Sequence, residues 1–487
     1  VDFAGIRDGM QLLRKYAKVK TKLQPHQKRV VDRITKEDQP GLLIAHELGS
    51  GKTLTSIAAL DALGKPSVVV APASLIKNYE KELKKHTTGG TPNPDLLSLQ
   101  KVTVSGQPPV EEVLVVDEAH RIRETHTKGF RVLRDNKSKK RMLMTASPFY
   151  NRPSDIAPLV NIAAGENVFP NDPVEFKKRY TRERKVGPGF WGTLKGIRPG
   201  SVTELDPKME EEIRASFEKW IDHHPRGEEN FPLVERSDVK VPMTKEQREI
   251  YNSIIKKAPA WVRFKVRNNL PPSKQESRDL NAFMTGLRQV SLSTAPYIKE
   301  DKTSHEAKIQ AAFGNLKKEL KDPYGRVVVY SNYIQAGLDP YKKRLNSAKI
   351  PYGEFTGKMK KRDRDQMVQN FNEGKNRVLL LSSAGGEGLD LKGTSMIQVM
   401  EPHWNQEKIR QVEGRGIRYK SHSHLPKNKR VVHVQRYLAI LPEHGLLEKS
   451  KIRKPGTGAD EYLTTLSKQK QGLIDQFKDL LPSEETY

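Results

Sequence analysis

The run Gly49-Ser50-Gly51-Lys52-Thr53 most directly suggests chemistry. It follows the apolar stretch Leu42–Ala45 and opens Thr53–Leu63, which reads as a helix. Strand, glycine loop and helix is the setting a phosphate-binding loop requires. The glycines let backbone N–H groups approach phosphate oxygens closely. Lys52 is placed to neutralise β- and γ-phosphates, and the Thr53 hydroxyl suits Mg²⁺. ATP and Mg²⁺ are the ligands this loop implies. The full G-x-x-x-x-G-K spacing asks for glycine at position 46, where the chain has His46. A glycine turn without function is the competing reading, and the strand–helix context disfavours it.

A second cluster follows the apolar run Val113–Val116, which ends in Asp117-Glu118-Ala119-His120. Asp117, at a strand end, can hold Mg²⁺ through water. Glu118 can orient and deprotonate an attacking water. Phosphoryl transfer needs these parts: a phosphate cradle, a metal and a water-positioning group. Alone, an Asp-Glu pair after a strand is an ordinary helix N-terminus; downstream of a phosphate loop it reads as catalytic. A third cluster, Gln411-Val412-Glu413-Gly414-Arg415-Gly416-Ile417-Arg418, sets Arg415 and Arg418 three apart, expected on one helical face. Both arginines suit stabilisation of charge on a transferring γ-phosphate.

Short apolar runs must position these groups. Leu42–Ala45, Val68–Ala71, Val113–Val116 and Met142–Met144 have the length and character of buried parallel strands, with helical stretches between them. Residues 87–110 are rich in Gly, Pro, Thr and Ser and read as a loop. Residues 165–305 lose the strand rhythm and read as a mostly helical insertion and linker. The α/β pattern resumes at Arg326 with Val327–Tyr330, Val378–Ser382, Ser395–Met400 and Val431–Tyr437. Ala459–Leu481 has an amphipathic helical pattern. The fold class expected is α/β: two parallel-sheet lobes, with a helical insertion and a helical C-terminal tail. The boundaries expected are an extension at 1–22, a first lobe at 23–164, the insertion at 165–305, a second lobe at 306–440 and the tail at 441–487.

Composition bounds the partners. The 487 residues carry 86 Lys and Arg against 59 Asp and Glu, a formal charge of +27. A surface this basic favours a polyanion partner, because neutralising phosphates releases counterions. The mean hydropathy is −0.70, and no apolar run approaches the roughly 18 residues of a membrane span. No membrane partner is expected. The chain has no cysteine, which excludes disulfides, cysteine nucleophiles and thiolate metal sites and fits an intracellular location.

The ordered motifs resemble helicase superfamily 2 ATPases of the SWI/SNF-related branch. Leu23-Gln24-Pro25-His26-Gln27 resembles the Q-motif, which implies that Gln27 reads adenine. Val70-Ala71-Pro72-Ala73-Ser74-Leu75-Ile76 resembles motif Ia, and Asp117–His120 the DEAH form of motif II. Thr145-Ala146-Ser147-Pro148 resembles motif III, and Asn151 after it is typical of the branch. Val327–Ser331 resembles motif IV and Ser383–Leu391 motif V. Trp404-Asn405 then follows as in the branch, before motif VI with Gln411, Arg415 and Arg418. The match runs over roughly residues 20–440. Residues Ser421–Pro426 and the tail around Ala459–Tyr462 are similar to nucleoside triphosphate phosphohydrolase and early-transcription-factor ATPases of large DNA viruses, or to phage relatives.

The resemblance implies two RecA-like lobes with ATP between them. DNA is then gripped through its backbone, largely independent of sequence, by Pro72, Ser74, Lys77, Ser331, Ser383, Gly385 and Gly386. It implies coupling of hydrolysis to movement through His120, Thr145, Ser147 and Asn151. A duplex-DNA translocase that remodels DNA or protein–DNA complexes is the leading expectation. A strand-separating or branch-migrating helicase, and a transcription subunit that uses ATP as a clamp, are the alternatives; RNA is a less favoured track. A protein partner is expected at the insertion or the tail.

Overall fold

Leu42, Leu43 and Ile44, like Val68–Val70 and Leu114–Val115, are wholly excluded from solvent. Strands covered on both faces are continuous apolar runs rather than alternating ones. They build a parallel sheet from β1 (Gly41–His46), β2 (Ser67–Ala71), β3 (Asp95–Ser98), β4 (Val113–Val116) and β5 (Lys140–Thr145). A two-stranded sheet of β6 (Thr181–Val186) and β7 (Gly200–Leu205) follows, and β8 (Ile221–His224) returns to the edge of the first sheet beside β1. The order is β3-β2-β4-β5-β1-β8, parallel throughout.

This is the computed structural model of the chain. It describes residues 19–47, 49–88, 94–225, 231–299, 302–355, 359–383, 389–404, 406–418, 420–442, 456–483 and 486. The chain divides into two units. The first is Val1–Arg182 with Glu204–Gly227 and Leu473–Tyr487; the second is Glu183–Thr203 with Glu228–Gly472. The first unit holds the sheet just described, cored on one face by Phe149, Phe169, Phe176 and Phe217 among others. On the other face lie Val30, Val31, Ile34 and Ile57–Leu60.

The second unit has its own parallel six-stranded sheet. Its strands are β9 (Leu233–Pro242), β10 (Val327–Tyr330), β11 (Gly353–Phe355), β12 (Val378–Leu381), β13 (Met396–Val399) and β14 (Val431–Ile440), in the order β11-β12-β10-β13-β14-β9. A buried ion pair, Lys308 Nζ to Asp460 Oδ2 at 2.6 Å, ties the helix Ala307–Glu319 to the start of the tail helix Ala459–Lys478. The same carboxylate oxygen accepts from the Ala439 N–H at 2.8 Å.

Two parallel sheets with helices confirm the α/β class. Two local expectations are corrected: residues 165–305, read as a mostly helical insertion and linker, also carry β6–β9, of which β8 and β9 are edge strands of the two sheets, and residues 95–105, read as loop, form β3 and the helix Leu99–Ser105. Leu96 and Leu97 pack on opposite faces of the sheet, a pattern that the surrounding Gly and Pro conceal. No described helix is long and apolar enough to cross a membrane.

Candidate active site

In a parallel α/β sheet, ligands gather outside the carboxyl ends of the strands. The first sheet applies this rule directly. The phosphate-loop run follows β1, Asp117 and Glu118 follow β4, and Ser147 follows β5, three strands adjacent in the order β4-β5-β1. Residues far apart in sequence thus converge on one edge.

Gly49 and Gly51 have φ of 83° and 78°, a region costly to residues with a Cβ. Gly51 caps the helix Lys52–Leu63, so free N–H groups of its first turn face the loop. The buried Ser50 hydroxyl has no protein partner, an orphan suited to a phosphate oxygen. Lys52 Nζ donates to the His46 carbonyl at 2.9 Å. Burial pulls the ammonium pKa below its usual range, against the raising influence of Glu118, Asp117 and Glu47.

Asp117 is pushed up to about 6, first by burial and then by the neighbouring Glu118 charge. A carboxyl so disfavoured as an anion fits a site meant to receive a cation. Magnesium takes one or two carboxylates plus phosphates and water, so Thr53 and Asp117 are a sufficient protein share. No cluster of three or more metal-ligating side chains occurs among the described residues. Glu118 lies in the left-handed region at φ 51°, a strain of roughly 1–3 kcal/mol that gathers at functional sites.

His120 Nδ1 lies 3.2 Å from Glu118 Oε2 and 3.1 Å from Thr145 Oγ1. Thr145 Oγ1 in turn accepts from the Ser147 N–H at 3.0 Å. Three residues expected to act together are therefore in contact. The Tyr150 ring stacks parallel to His120 at 5.3 Å, and the Arg123 guanidinium sits 4.0 Å from the Tyr150 centroid. The Asn151 N–H donates to Asp155 Oδ2 at 2.6 Å. Pro72 is buried at the start of the helix Ala73–His86, while Ser74 and Lys77 are exposed one turn apart on it.

Gln27 is 3% exposed, with its amide already engaged. Oε1 accepts from the Gln24 N–H at 2.8 Å, and Nε2 donates to the carbonyls of Gly51 at 3.2 Å and Ser50 at 3.4 Å. The side chain expected to read adenine thus also holds the loop.

Sequence reasoning missed a polar network beneath the loop. Asp222 on β8 is fully buried and accepts from Arg29 Nε at 3.0 Å, Arg29 Nη2 at 2.9 Å and Arg33 Nη1 at 3.2 Å. It also faces His46 Nε2 at 2.8 Å. Burial lowers His46 to about 4, so it is neutral and donates its Nε2–H. Burial also works against the Asp222 anion, but hydrogen bonds from His46 and Arg29 hold it at about 2. His26 bonds the Ser50 carbonyl through Nε2 at 2.8 Å and stacks on His224 at 3.8 Å. The spacing of Arg29 and Arg33 marked one helix face; nothing local marked Asp222.

In the second unit, Arg415 lies on the helix Gln406–Gly416 with Gln411, both half-buried. Arg418 falls beyond the helix end, which corrects the expectation of one shared helical face. Gly414 and Gly416 weaken the last turn. Arg418 Nη1 instead donates to the Leu389 carbonyl at 2.9 Å, and Leu391 N–H donates to the Arg415 carbonyl at 3.2 Å. Ser331 is fully buried and donates to Glu401 Oε2 at 2.8 Å, so its hydroxyl faces inward. Ser383 is exposed; Gly385, Gly386 and Asn405 lie outside the described residues. Trp404 Nε1 donates to Asn281 Oδ1 at 2.7 Å.

Comparisons agree with this geometry. The model of the SNF2-related domain matches residues 26–103 and 95–295, and that of the helicase conserved C-terminal domain matches 309–420. A protein of Acanthamoeba polyphaga mimivirus, named as a candidate ATP-dependent RNA helicase (L538), is 30% identical over 94% of this chain and 96% of its own length. An African swine fever virus protein named termination factor NPH-I homolog is 24% identical over 91% of this chain and 76% of its own. The ISWI chromatin-remodeling complex ATPase ISW1 of Saccharomyces cerevisiae is 21% identical over 77% of this chain and 35% of its own. The chain belongs to the SNF2-related family of helicase-type ATPases and is an ATP hydrolase.

Proposed function

We propose that this ATPase is a double-stranded DNA translocase that remodels DNA or protein–DNA complexes. One observation carries the reading: His120 touches both Glu118 and Thr145, so the hydrolytic carboxylate is wired to the segment leading to Asn151.

In this account Gly49–Thr53 cradle the triphosphate, and Lys52 leaves the His46 carbonyl for the β- and γ-phosphates. Thr53 and Asp117 would hold Mg²⁺, which would supply positive charge to the phosphate oxygens. Glu118 orients the attacking water and accepts its proton. Arg415 and Arg418 stabilise charge on the transferring group, a contribution that for arginine fingers is worth roughly 10³–10⁵ in rate. Ser74, Lys77 and Ser383, with Pro72, Gly385 and Gly386 shaping their loops, meet the phosphate backbone. Such contacts carry no sequence information. Ser331, turned inward, positions its loop.

The SNF2-related match and the name of the yeast relative support a duplex track. The name of the mimivirus relative favours RNA as the second reading, and the name of the swine fever virus relative favours use in transcription. Displacement of a third strand from duplex DNA tests the proposal. ATP-dependent displacement that is lost in Glu118→Gln is expected. DNA-stimulated hydrolysis with no displacement would favour the clamp.

A further inference from the structure

Phe190, Trp191 and Leu194 are 75%, 68% and 70% exposed. They lie on one short helix, Gly189–Leu194, at the tip of the β6–β7 excursion. Exposed apolar groups scattered singly need no explanation, but three within five residues form a patch that does.

The tip is built to present them. Gly189 and Gly196 turn the chain with φ of 75° and 68°. Gly192 faces down: a Cβ there would lie 3.0 Å from the ring carbons of Phe264, on the helix Ala260–Arg267. At the base, the Ser201 N–H donates to the Pro272 carbonyl at 3.1 Å. Arg198 bonds Gln275, and a Cβ on Gly200 would strike the Pro271 carbonyl. The rings of Phe190 and Trp191 meet edge to face at 5.4 Å.

The surroundings are cationic. Residues 183–203 hold Arg184, Lys185, Lys195 and Arg198, all exposed, against one carboxylate, Glu183. Aromatic faces flanked by cations are the means by which proteins bind unpaired nucleic acid: bases stack on the rings while Lys and Arg follow the phosphates. We propose that the 189–194 tip is a second nucleic-acid contact, in which Phe190 and Trp191 stack on unpaired bases of a single strand or a fork. It rests on the reading of this enzyme as a nucleic-acid motor and adds preference for an opened end.

The test uses the full chain and Phe190→Ser/Trp191→Ser, with Phe190→Tyr/Trp191→Phe as the ring-conserving control. Binding is measured by fluorescence anisotropy to single-stranded, forked and closed-end duplex oligonucleotides at matched salt, and to anionic phospholipid vesicles. The serine variant should lose about tenfold or more for single strands and forks, as loss of base stacking predicts. Closed duplex binding and duplex-stimulated ATPase should be unchanged, and the control should bind like the parent. Equal binding of all three oligonucleotides by parent and serine variant would overturn the proposal. So would a loss confined to vesicles, which would assign the patch to a membrane surface. A parent whose ATPase ignores nucleic acid would contradict the motor reading, while the single-strand comparison would still decide the stacking.

Discussion

Gln27 and Gly51 are joined by a hydrogen bond from the side-chain amide to the loop carbonyl, 3.2 Å long. The approach is so close that a Cβ on Gly51 would sit 2.6 Å from Gln27 Nε2. The helix Pro25–Ile34 therefore braces the phosphate loop from the side, with His26 on the Ser50 carbonyl as a second strut.

Removing the brace should weaken nucleotide binding more than chemistry. Gln27→Ala is expected to raise KM for ATP about tenfold, the effect of about 1.4 kcal/mol, with a smaller change in kcat. Gln27→Glu should be worse, because a carboxylate would face two carbonyl oxygens. Steady-state kinetics separate these; an unchanged KM in both variants would remove Gln27 from the site.

Lys52→Ala and Glu118→Gln should each reduce turnover at least about a hundredfold, the lower range for losing a positioned proton acceptor or a charge-stabilising donor. The two should differ in binding. Glu118→Gln keeps the loop and should retain ATP in equilibrium dialysis, whereas Lys52→Ala should not. Normal turnover in either would unseat that residue.

Asp117 makes turnover and stability respond to pH in opposite ways. Its folded value of about 6 lies above the ordinary 3.8, so the folded state binds the extra proton between them. Without ligands, stability is therefore lost as pH rises through that window. Asp117→Asn should stabilise the nucleotide-free fold at pH above 6 by on the order of 2–3 kcal/mol, read as a higher Tm, and abolish Mg²⁺-dependent hydrolysis. In the parent, hydrolysis at subsaturating Mg²⁺ should decline on the acid side, as the proton competes with the metal for Asp117, and added Mg²⁺ should restore it. A lower Tm for the variant at alkaline pH would contradict the assignment.

Asp222 should matter to the fold. Asp222→Ala removes the carboxylate shared by Arg29, Arg33 and His46, and breaking a buried pair from one side costs about 3–5 kcal/mol. A drop in the urea midpoint is expected, together with weaker ATP binding because His46 leads into the loop. His46 adds acid sensitivity: neutral in the fold down to about 4 but free to charge near 6.5 when unfolded, it draws stability down as pH falls between these values. An Asp222→Ala chain as stable as the parent would show that the network is not structural.

What the sequence disclosed was what is local. Glycine loop, helix and flanking apolar strand share a few neighbouring residues, so Gly49–Thr53 and Asp117–Glu118 announced themselves. So did β1, β2, β4 and β5 of the first sheet and β10, β12, β13 and β14 of the second. Residues that act through partners distant in the chain did not. Asp222 lies far from Arg29 and His46, and β8 is a short mixed run, Ile-Asp-His-His, with no strand signature. Arg418 misled because spacing assumes an unbroken helix, which Gly414 and Gly416 do not sustain. Ser331 was placed on the track by its resemblance to motif IV alone, and nothing local foretold that Glu401 takes its hydroxyl inward.

The most direct test is the ATPase rate without nucleic acid and with duplex DNA, single-stranded DNA or RNA, at matched low salt. Strong stimulation by duplex, falling steeply as salt is raised because phosphate contacts release counterions, is the result expected. A rate that no nucleic acid changes would contradict the account.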